Sequence, residues 1–171
     1  MKNWTSIDCG TGKSGIAYWE GSRLLNSFVI KPCGNKGFYW YGGTKVTSKY
    51  EAWFLALAGQ HHVVVERGAG HRPNVINGQA KLRGYIEAIT DIPGFAANGV
   101  EYHEVNVSEW KRVIKEDQGV SWPKESARQK ALAVQLVKKL YGKDVTEDEA
   151  DAILLGRAAQ RMGLNSDINL L

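Results

Sequence analysis

The sequence predicts an α/β fold in which a mixed sheet of five strands is covered by helices. The order of the periodic segments is the first reason, since strands come first and helices dominate the end of the chain. The second is the absence of repeats, low-complexity stretches or a composition boundary, which predicts a single domain over residues 1–171. The predicted strands are residues 3–9, 14–20, 23–31, 61–66 and 101–106.

The short spacing of the early strands predicts a hairpin. Glu20-Gly21-Ser22 is a turn between the second and third strands. Residues 32–44 are rich in glycine and aromatic side chains, which indicates a loop or flap rather than a strand. Residues 61–66 contain a run of valines typical of a short buried strand.

Helices are predicted over residues 47–58, 74–89, 124–140 and 147–162, and another begins at Ser108 as N-cap. Thr146 and Glu149 form a capping-box pattern at the start of the last helix. For residues 47–58, two apolar sides are possible: Ala52, Leu55 and Ala58, or Trp53 and Leu57. For residues 124–140, the expected inward side chains are Ala127, Ala131, Val134, Val137 and Leu140.

Composition and charge narrow the function classes. Hydrophobic residues make up 43% of the 171 and charged residues 23%, as in globular domains. The net charge is +4, and residues 108–143 carry nine Lys or Arg against four acids, so a polyanionic partner is favoured. Cys9 and Cys33 form no C-x-x-C pair, and no apolar run resembles a signal peptide or membrane span. A soluble cytoplasmic protein is therefore expected.

Two carboxylates come at the ends of predicted apolar strands. Asp8 precedes Gly-Thr-Gly, and Glu66 ends a run of three valines. A carboxylate beside a core is costly unless a charged group meets it, and ligand sites collect at such strand ends. A solvated strand end or a turn-capping role is the alternative for either acid alone.

The last predicted helix supplies two more acids. Asp148 in its first turn is also explained by helix capping and the helix dipole. Asp151 is explained less well, because it stands within an apolar run three residues later. This spacing puts both carboxylates on one helix face.

Four converging acids predict a metal site. Hard oxygen ligands favour Mg²⁺, for which Mn²⁺ can substitute. Two such ions, about 3.5–4 Å apart, activate a water and stabilise the leaving oxygen of a phosphodiester. Asp8, Glu66, Asp148 and Asp151 are therefore the predicted metal ligands and catalytic residues.

These motifs together resemble the RuvC-type Holliday junction resolvases of the RNase H-like superfamily. Residues 6–15 contain a D-x-G motif, and residues 62–66 resemble the second acidic strand of that family. Residues 78–84 resemble the helix that follows this strand in the family. Residues 148–152 resemble the family's last acidic motif, D-x-A-D-A. Residues 107–113 and 122–131 resemble the lysine-containing segment of the family. The motifs occur in the family's order over nearly the whole chain. A phage-type relative that cuts branched DNA less strictly fits the same motifs equally well.

The resemblance implies an RNase H-like fold and a homodimer that makes two symmetric nicks in a four-way DNA junction. By position, the four acids match the family's metal ligands. Lys111 and Lys124 match its DNA-contacting lysines, with Lys130 as a rival for the second role. Further expected DNA contacts are Arg67, His71 and Arg72.

The sequence also departs from the family pattern. The loop 67–73 lacks the aromatic residue that wedges into the junction, although His71 is a possible replacement. The aromatic residues 38–41 form a larger insert than expected and either stack on unpaired bases or pack on their own domain. The alternatives that remain are a nuclease for other branched DNA or RNA–DNA hybrids, and a catalytically silent nucleic-acid-binding protein.

Other ligand sites are weakly supported. Residues 10–14 resemble a P-loop, but position 7 is Ile where the Walker pattern requires Gly. The same part of the chain also resembles the phosphate loop of actin-like ATPases. Such an ATPase needs two domains of this kind, whereas the sequence predicts one. Zinc held by Cys33, His61 and His62 lacks a supporting ligand spacing.

Overall fold

A mixed sheet forms the centre of the molecule. The computed structural model describes residues 3–34, 37–68, 73–93, 95 and 99–164. Within these residues the strands are β1 (Asn3–Asp8), β2 (Ser14–Glu20), β3 (Arg23–Pro32), β4 (Tyr39–Tyr41), β5 (Thr44–Val46), β6 (His62–Arg67) and β7 (Glu101–Asn106). Their order across the sheet is β5-β4-β3-β2-β1-β6-β7. β1 is antiparallel to β2 but parallel to β6, and β6 is parallel to β7, so the predicted mixed sheet is confirmed.

The predicted number of strands is wrong, because the described residues form seven rather than five. The five expected strands are present, and β2 and β3 form the expected hairpin. The two additional strands, β4 and β5, come from the glycine-rich aromatic segment predicted to be a loop or flap. Each has three residues, and pairing with the long strand β3 supplies the backbone partners that such short strands lack alone.

Five helices cover the sheet: α1 (Lys49–Leu57), α2 (Pro73–Thr90), α3 (Val107–Gln118), α4 (Ser126–Tyr141) and α5 (Glu147–Arg161), counted over the described residues. One core lies between the sheet and α3, α4 and α5, and a second lies on the face that α1 and α2 cover. No helix among the described residues has the length and apolarity needed to cross a bilayer.

Three details of the predicted helices change. On α1, Trp53 and Leu57 face the core, while Leu55 and Ala58 are exposed. Ser108 is not the N-cap of α3, because that helix begins earlier, with Asn106 as its N-cap. On α4, Val137 is buried as expected, but Ala127 and Ala131 are exposed.

The inward face of α4 is turned relative to the prediction. Ala133 and Leu136 join Val137 in the core, and Val134 and Leu140 are partly buried. The contact of α4 with α5 decides which face of α4 enters the core. The periodicity of apolar residues alone does not predict this contact.

The helix α5 is the most deeply buried helix and is held tightly on β1 and β2. Ser6 donates a hydrogen bond to the carbonyl of Ala152 at 2.7 Å, and Trp19 donates one to Ser6 Oγ at 2.9 Å. A Cβ atom at Gly156 would lie 2.5 Å from both Ser6 Oγ and Trp19 Nε1, so this close approach requires glycine. The position of α5 on the strands determines where its acids lie.

Candidate metal centre

Asp8 and Glu66 lie at the same end of two neighbouring parallel strands. Ile7 of β1 pairs with Val65 of β6, and each acid follows its paired valine or isoleucine by one residue. The carboxyl ends of parallel strands meet at one edge of a sheet, which is the usual place for a ligand site. Both side chains are largely withdrawn from solvent yet lie at the margin of the core.

Asp148 and Asp151 reach this edge from the first turns of α5. Thr146 and Glu149 form the predicted capping box, which is confirmed and fixes the start of the helix. The helix start also lies directly on β2: a Cβ atom at Gly15 would be 1.8 Å from the carbonyl oxygen of Asp148. Gly15 is the residue paired with Asp8, so the same contact carries Asp148 towards the end of β1.

The charges of the other three acids act on Asp8, and those of Glu66 and Asp148 act on Asp151. Burial raises the pKa of Asp8 well above its usual range, and the negative charges of Glu66, Asp151 and Asp148 raise it further. Burial, followed by the charge of Glu66, raises the pKa of Asp151 to about 7. Such a set of acids is stabilised by a cation, and carboxylate oxygens suit Mg²⁺ or Mn²⁺.

Trp110 on α3 orients Glu66. Its indole Nε1 donates a hydrogen bond to Glu66 Oε2 at 2.8 Å. Burial raises the pKa of Glu66, while this hydrogen bond and the positive charge of Lys111 oppose the rise. Trp110 therefore favours the charged carboxylate that a metal would require, and it leaves the other oxygen of Glu66 available.

Asp148 pairs with a lysine that the sequence analysis did not single out. Lys13 Nζ lies 2.7 Å from Asp148 Oδ2, and the Lys13 side chain is 56% exposed. Lys13 belongs to the segment that resembles a P-loop. That segment joins the antiparallel strands β1 and β2 rather than a strand and a helix, so it lacks the helix N-terminus on which a P-loop depends.

Two further lysines lie beside the acids. Lys111 Nζ donates a hydrogen bond to Gln129 Oε1 at 2.8 Å and lies 5.3 Å and 5.2 Å from the ring centroids of Trp110 and Trp122. Lys130 Nζ lies 2.8 Å from Glu147 Oε2, and its charge acts on Asp8, Asp151 and Asp148. The acidic site therefore has cationic side chains on its rim.

For the remaining residues predicted to bind DNA, the described ranges of the structure give no interaction with the four acids. Lys124 is exposed between α3 and α4. Arg67 follows Glu66 at the end of β6 and lies 4.0 Å from Glu104, with a side chain that is 62% exposed. His71 and Arg72 lie outside the described residues.

A cleft opens beside Asp148. It has a volume of about 640 Å³ and is lined by Lys13, Lys31, Phe28 and Trp40 together with the start of α5. Trp40 is 37% exposed and belongs to β4, in the aromatic insert. The insert thus contributes one exposed aromatic ring to the same side of the molecule as the acids.

The sequence analysis missed Lys13, Trp110, Trp122 and Gln129 as site residues. Trp110 lies in the helix that was predicted to begin at Ser108, and no role was predicted for it. Its role as a donor to Glu66 depends on a contact between residues 44 positions apart, for which the sequence offers no local signal. Lys13 had a signal in its position within the first acidic motif.

Solved structures with the same fold include those of RuvC. The structure of Thermus thermophilus RuvC in complex with a Holliday junction substrate superposes with a TM-score of 0.62 at 15% identity, covering 95% of this chain and 97% of that chain. A second Thermus thermophilus RuvC structure superposes with a TM-score of 0.59, also at 15% identity, covering 94% and 96%. No family model and no curated protein matches the sequence. The chain therefore has an RNase H-like fold, as predicted, and it shares that fold with RuvC.

Proposed function

We propose that this protein is a Mg²⁺-dependent endonuclease that resolves four-way DNA junctions by paired symmetric nicks. The observation that carries the proposal is the convergence of four carboxylates, from β1, β6 and α5, whose charges raise the pKa values of Asp8 and Asp151. The proposed enzyme is a single RNase H-like nuclease domain. The shared fold with RuvC, one structure of which is bound to a Holliday junction, supports the choice of substrate.

The proposed metal ligands are Asp8, Glu66, Asp148 and Asp151. A pair of divalent ions held by these acids supplies Lewis acidity, activating a water and stabilising the leaving oxygen. The protein's own part is to gather the carboxylates and to offset part of the rise in their pKa values. Trp110 holds one oxygen of Glu66, and the charge of Lys130 offsets the repulsion around Asp8. Lys13, which pairs with Asp148 and is 56% exposed, would contact a DNA phosphate if Asp148 held a cation instead.

Lysines on the rim position the DNA backbone in this proposal. Lys111 and Lys130 are close enough to the acids for their charges to act on Asp151, whereas Lys124 is exposed and is not among the charges that most affect it. This favours Lys130 over Lys124 as the second lysine that contacts DNA near the scissile phosphate. Arg67, beside Glu66, extends the same rim, and we propose DNA contacts for His71 and Arg72 from the sequence alone.

The aromatic insert supplies a substitute for the missing junction wedge. Trp40 lines the cleft that Asp148 also lines, and it stands on the same face of the sheet as α5. An exposed indole beside a set of phosphate-binding lysines can stack on a base that is unpaired at the branch point. The stacking role is thus favoured for Trp40, while Tyr39 and Tyr41 pack on their own domain.

Paired nicks require two active sites, so we propose a homodimer. Tyr50 and Phe54 lie one turn apart on α1 and are 62% and 48% exposed. They contact Tyr85 and Phe95 edge to face, forming an aromatic surface on the side of the sheet away from the acids. A second copy is the occupant that a two-fold substrate favours. Phe54→Glu should convert a dimer to a monomer in sedimentation equilibrium, and an unchanged mass would remove this surface from the proposal.

Four substrates test the proposed activity. A four-way junction, a flap, a linear duplex and an RNA–DNA hybrid should be incubated with the protein in Mg²⁺ and in EDTA. We expect symmetric nicks in the junction and none in EDTA. Cleavage of the hybrid alone would replace the resolvase by a hybrid nuclease, and no cleavage of any substrate would indicate a protein that only binds nucleic acid.

A further inference from the structure

A second group of metal-ligand side chains lies at the opposite end of β6. His62 is the first residue of β6, and it pairs with Glu101, the first residue of the parallel strand β7. His103 follows Glu101 by two residues and so points to the same face of the sheet. One ligand atom from each of the three residues lies within 4.8 Å of the other two.

We propose that His62, Glu101 and His103 bind a Zn²⁺ ion. The site is separate from the acidic site, because His62 and Glu66 are four residues apart on one strand, a distance of about 13 Å. It therefore does not depend on the proposed nuclease function. Its ligands are two imidazole nitrogens and one carboxylate oxygen, a set that prefers zinc to the all-oxygen coordination of magnesium.

The two separations from the Glu101 oxygen fit a tetrahedral ion. Two ligands bound to zinc at its usual distances of about 2.0–2.1 Å and at a tetrahedral angle are about 3.4 Å apart. Glu101 Oε2 lies 3.1 Å from His62 Nδ1 and 3.5 Å from His103 Nε2. The two imidazole rings are nearly parallel, 10° apart with centroids separated by 6.3 Å, so both face the same oxygen.

Burial and exposure within the group also suit a metal ion. The side chain of His62 is only 2% exposed, which fixes one ligand in the core. The Nε2 atom of His103 is buried and makes no hydrogen bond within the part of the chain that the structure describes. The side chains of Glu101 and His103 are 53% and 31% exposed, so an ion can enter from solvent and a water can complete the coordination.

The position of the group indicates what the ion does. β7 is at the edge of the sheet, and its first residue is one of the three ligands. An ion shared with β6 would hold the start of this edge strand to its neighbour, and binding to the folded state alone would stabilise the protein.

The test uses the full chain stripped of metal, titrated with ZnCl₂ in a calorimeter and unfolded by heat with and without ZnCl₂. We expect zinc binding and a raised Tm for the wild type. The variants are Glu101→Gln and His103→Gln, whose side chains are exposed enough to be replaced without loss of the fold. Each should weaken zinc binding by more than about tenfold, since even residues that only support a metal ligand contribute this much.

Two controls separate the proposed site from other zinc binding. His61→Gln removes the neighbouring histidine, and Asp151→Asn removes a carboxylate from the acidic site; both should keep the zinc affinity and the Tm rise of the wild type. A wild type that binds no zinc would overturn the proposal. So would equal affinity in the wild type and His103→Gln, or loss of binding in Asp151→Asn.

Discussion

The two ends of β6 present opposite kinds of metal ligand on one face of the same strand. At its carboxyl end, the charges of Glu66 and Asp148 act on Asp8 and Asp151, so the candidate ligands are all oxygens. At its amino end, His62 meets Glu101 and His103, so two of the three ligands are nitrogens. The comparison shows that strand ends gather ligands, whereas ligand type and charge decide which cation each end can hold.

The charge balance also differs between the two ends. One carboxylate lies between two imidazoles at the amino end, and the contacts there are attractive or neutral. At the carboxyl end the acids repel one another, and Lys13 and Lys130 offset only part of that repulsion. A divalent cation therefore has more repulsion to relieve at the carboxyl end, which is the end where we place catalysis.

Removing one of the acids at the carboxyl end of β6 should have the largest effect, and the effect should be on the cleavage rate. Asp8→Asn and Asp151→Asn should each lower the rate of junction cleavage in Mg²⁺ by about a thousandfold or more, because metal-ion catalysis contributes several kcal/mol. Binding of the junction should persist, since the loss of negative charge does not weaken phosphate contacts. Cleavage on sequencing gels and binding by gel shift measure the two effects.

The control for these variants is Asp144→Asn. Asp144 is an exposed acid that pairs with Lys138 at 2.6 Å, and its replacement should leave the cleavage rate unchanged. Asp148→Asn should behave like Asp8→Asn. A normal rate in Asp148→Asn would reduce Asp148 to a residue that only suits the start of the helix.

The rim lysines should have the next largest effect. Lys130→Ala should weaken junction binding by about tenfold and flatten its dependence on salt, because a phosphate contact and its released counterion are lost. Lys124→Ala is the matched comparison and should have a smaller effect, since Lys124 is exposed and is not among the charges that most affect the pKa values of Asp8 and Asp151. Fluorescence anisotropy over a salt series measures both. A larger effect of Lys124→Ala would return the second DNA-contacting role to that residue.

Repulsion at the carboxyl end should also be visible in the stability of the metal-free protein. The pKa of Asp151 is raised to about 7 in the folded state, so folding is favoured by protonation and is penalised as pH rises from about 4 to above 7. Asp151→Asn should therefore stabilise the metal-free protein at pH 8 by on the order of 1 kcal/mol, but not at pH 4.

Urea denaturation in EDTA at the two pH values measures this difference. The sign follows from the raised pKa, since the folded state binds the proton more tightly than the unfolded state does. Equal stability of the wild type and Asp151→Asn at pH 8 would mean that neither burial nor the neighbouring carboxylates penalise the charge of Asp151. Added Mg²⁺ should stabilise the wild type more than Asp151→Asn.

The smallest expected effect concerns the aromatic insert. Trp40→Ala should weaken binding of a four-way junction by about fivefold, because stacking on a base contributes roughly 1 kcal/mol or more. Binding of a linear duplex should be unchanged, since that substrate offers no unpaired base. Leu25→Ala is a control for the loss of an exposed large apolar side chain that does not line the cleft. Equal losses for junction and duplex would contradict the stacking role.

The sequence predicted the parts of the fold that depend on local patterns. The valine run ending at Glu66 and the capping box at Thr146 are such patterns, and both are present in the structure. The hairpin of β4 and β5 was missed because three-residue strands carry too little alternation to be recognised. The inward face of α4 was misjudged because alanines at positions 127 and 131 fit either a core or a solvent-facing helix surface.

The site divides in the same way. Asp8 and Glu66 could be selected because each acid ends an apolar strand, and Asp151 because it interrupts an apolar helical run. The ion pair of Lys13 with Asp148 could not, since it arises only when Gly15 lets α5 approach β2. The group at the amino end was missed for a related reason: His62 and His103 are brought together by parallel strand pairing, not by sequence spacing.

Anomalous scattering from a crystal soaked in MnCl₂ tests directly whether the four acids form a metal site. We expect a manganese peak between the carboxylates of Asp8 and Asp151, with Lys13 displaced from Asp148. We expect no such peak in crystals of Asp151→Asn. Manganese found only at His62, Glu101 and His103, with the Lys13–Asp148 ion pair intact, would contradict the claim that the acids form the catalytic metal site.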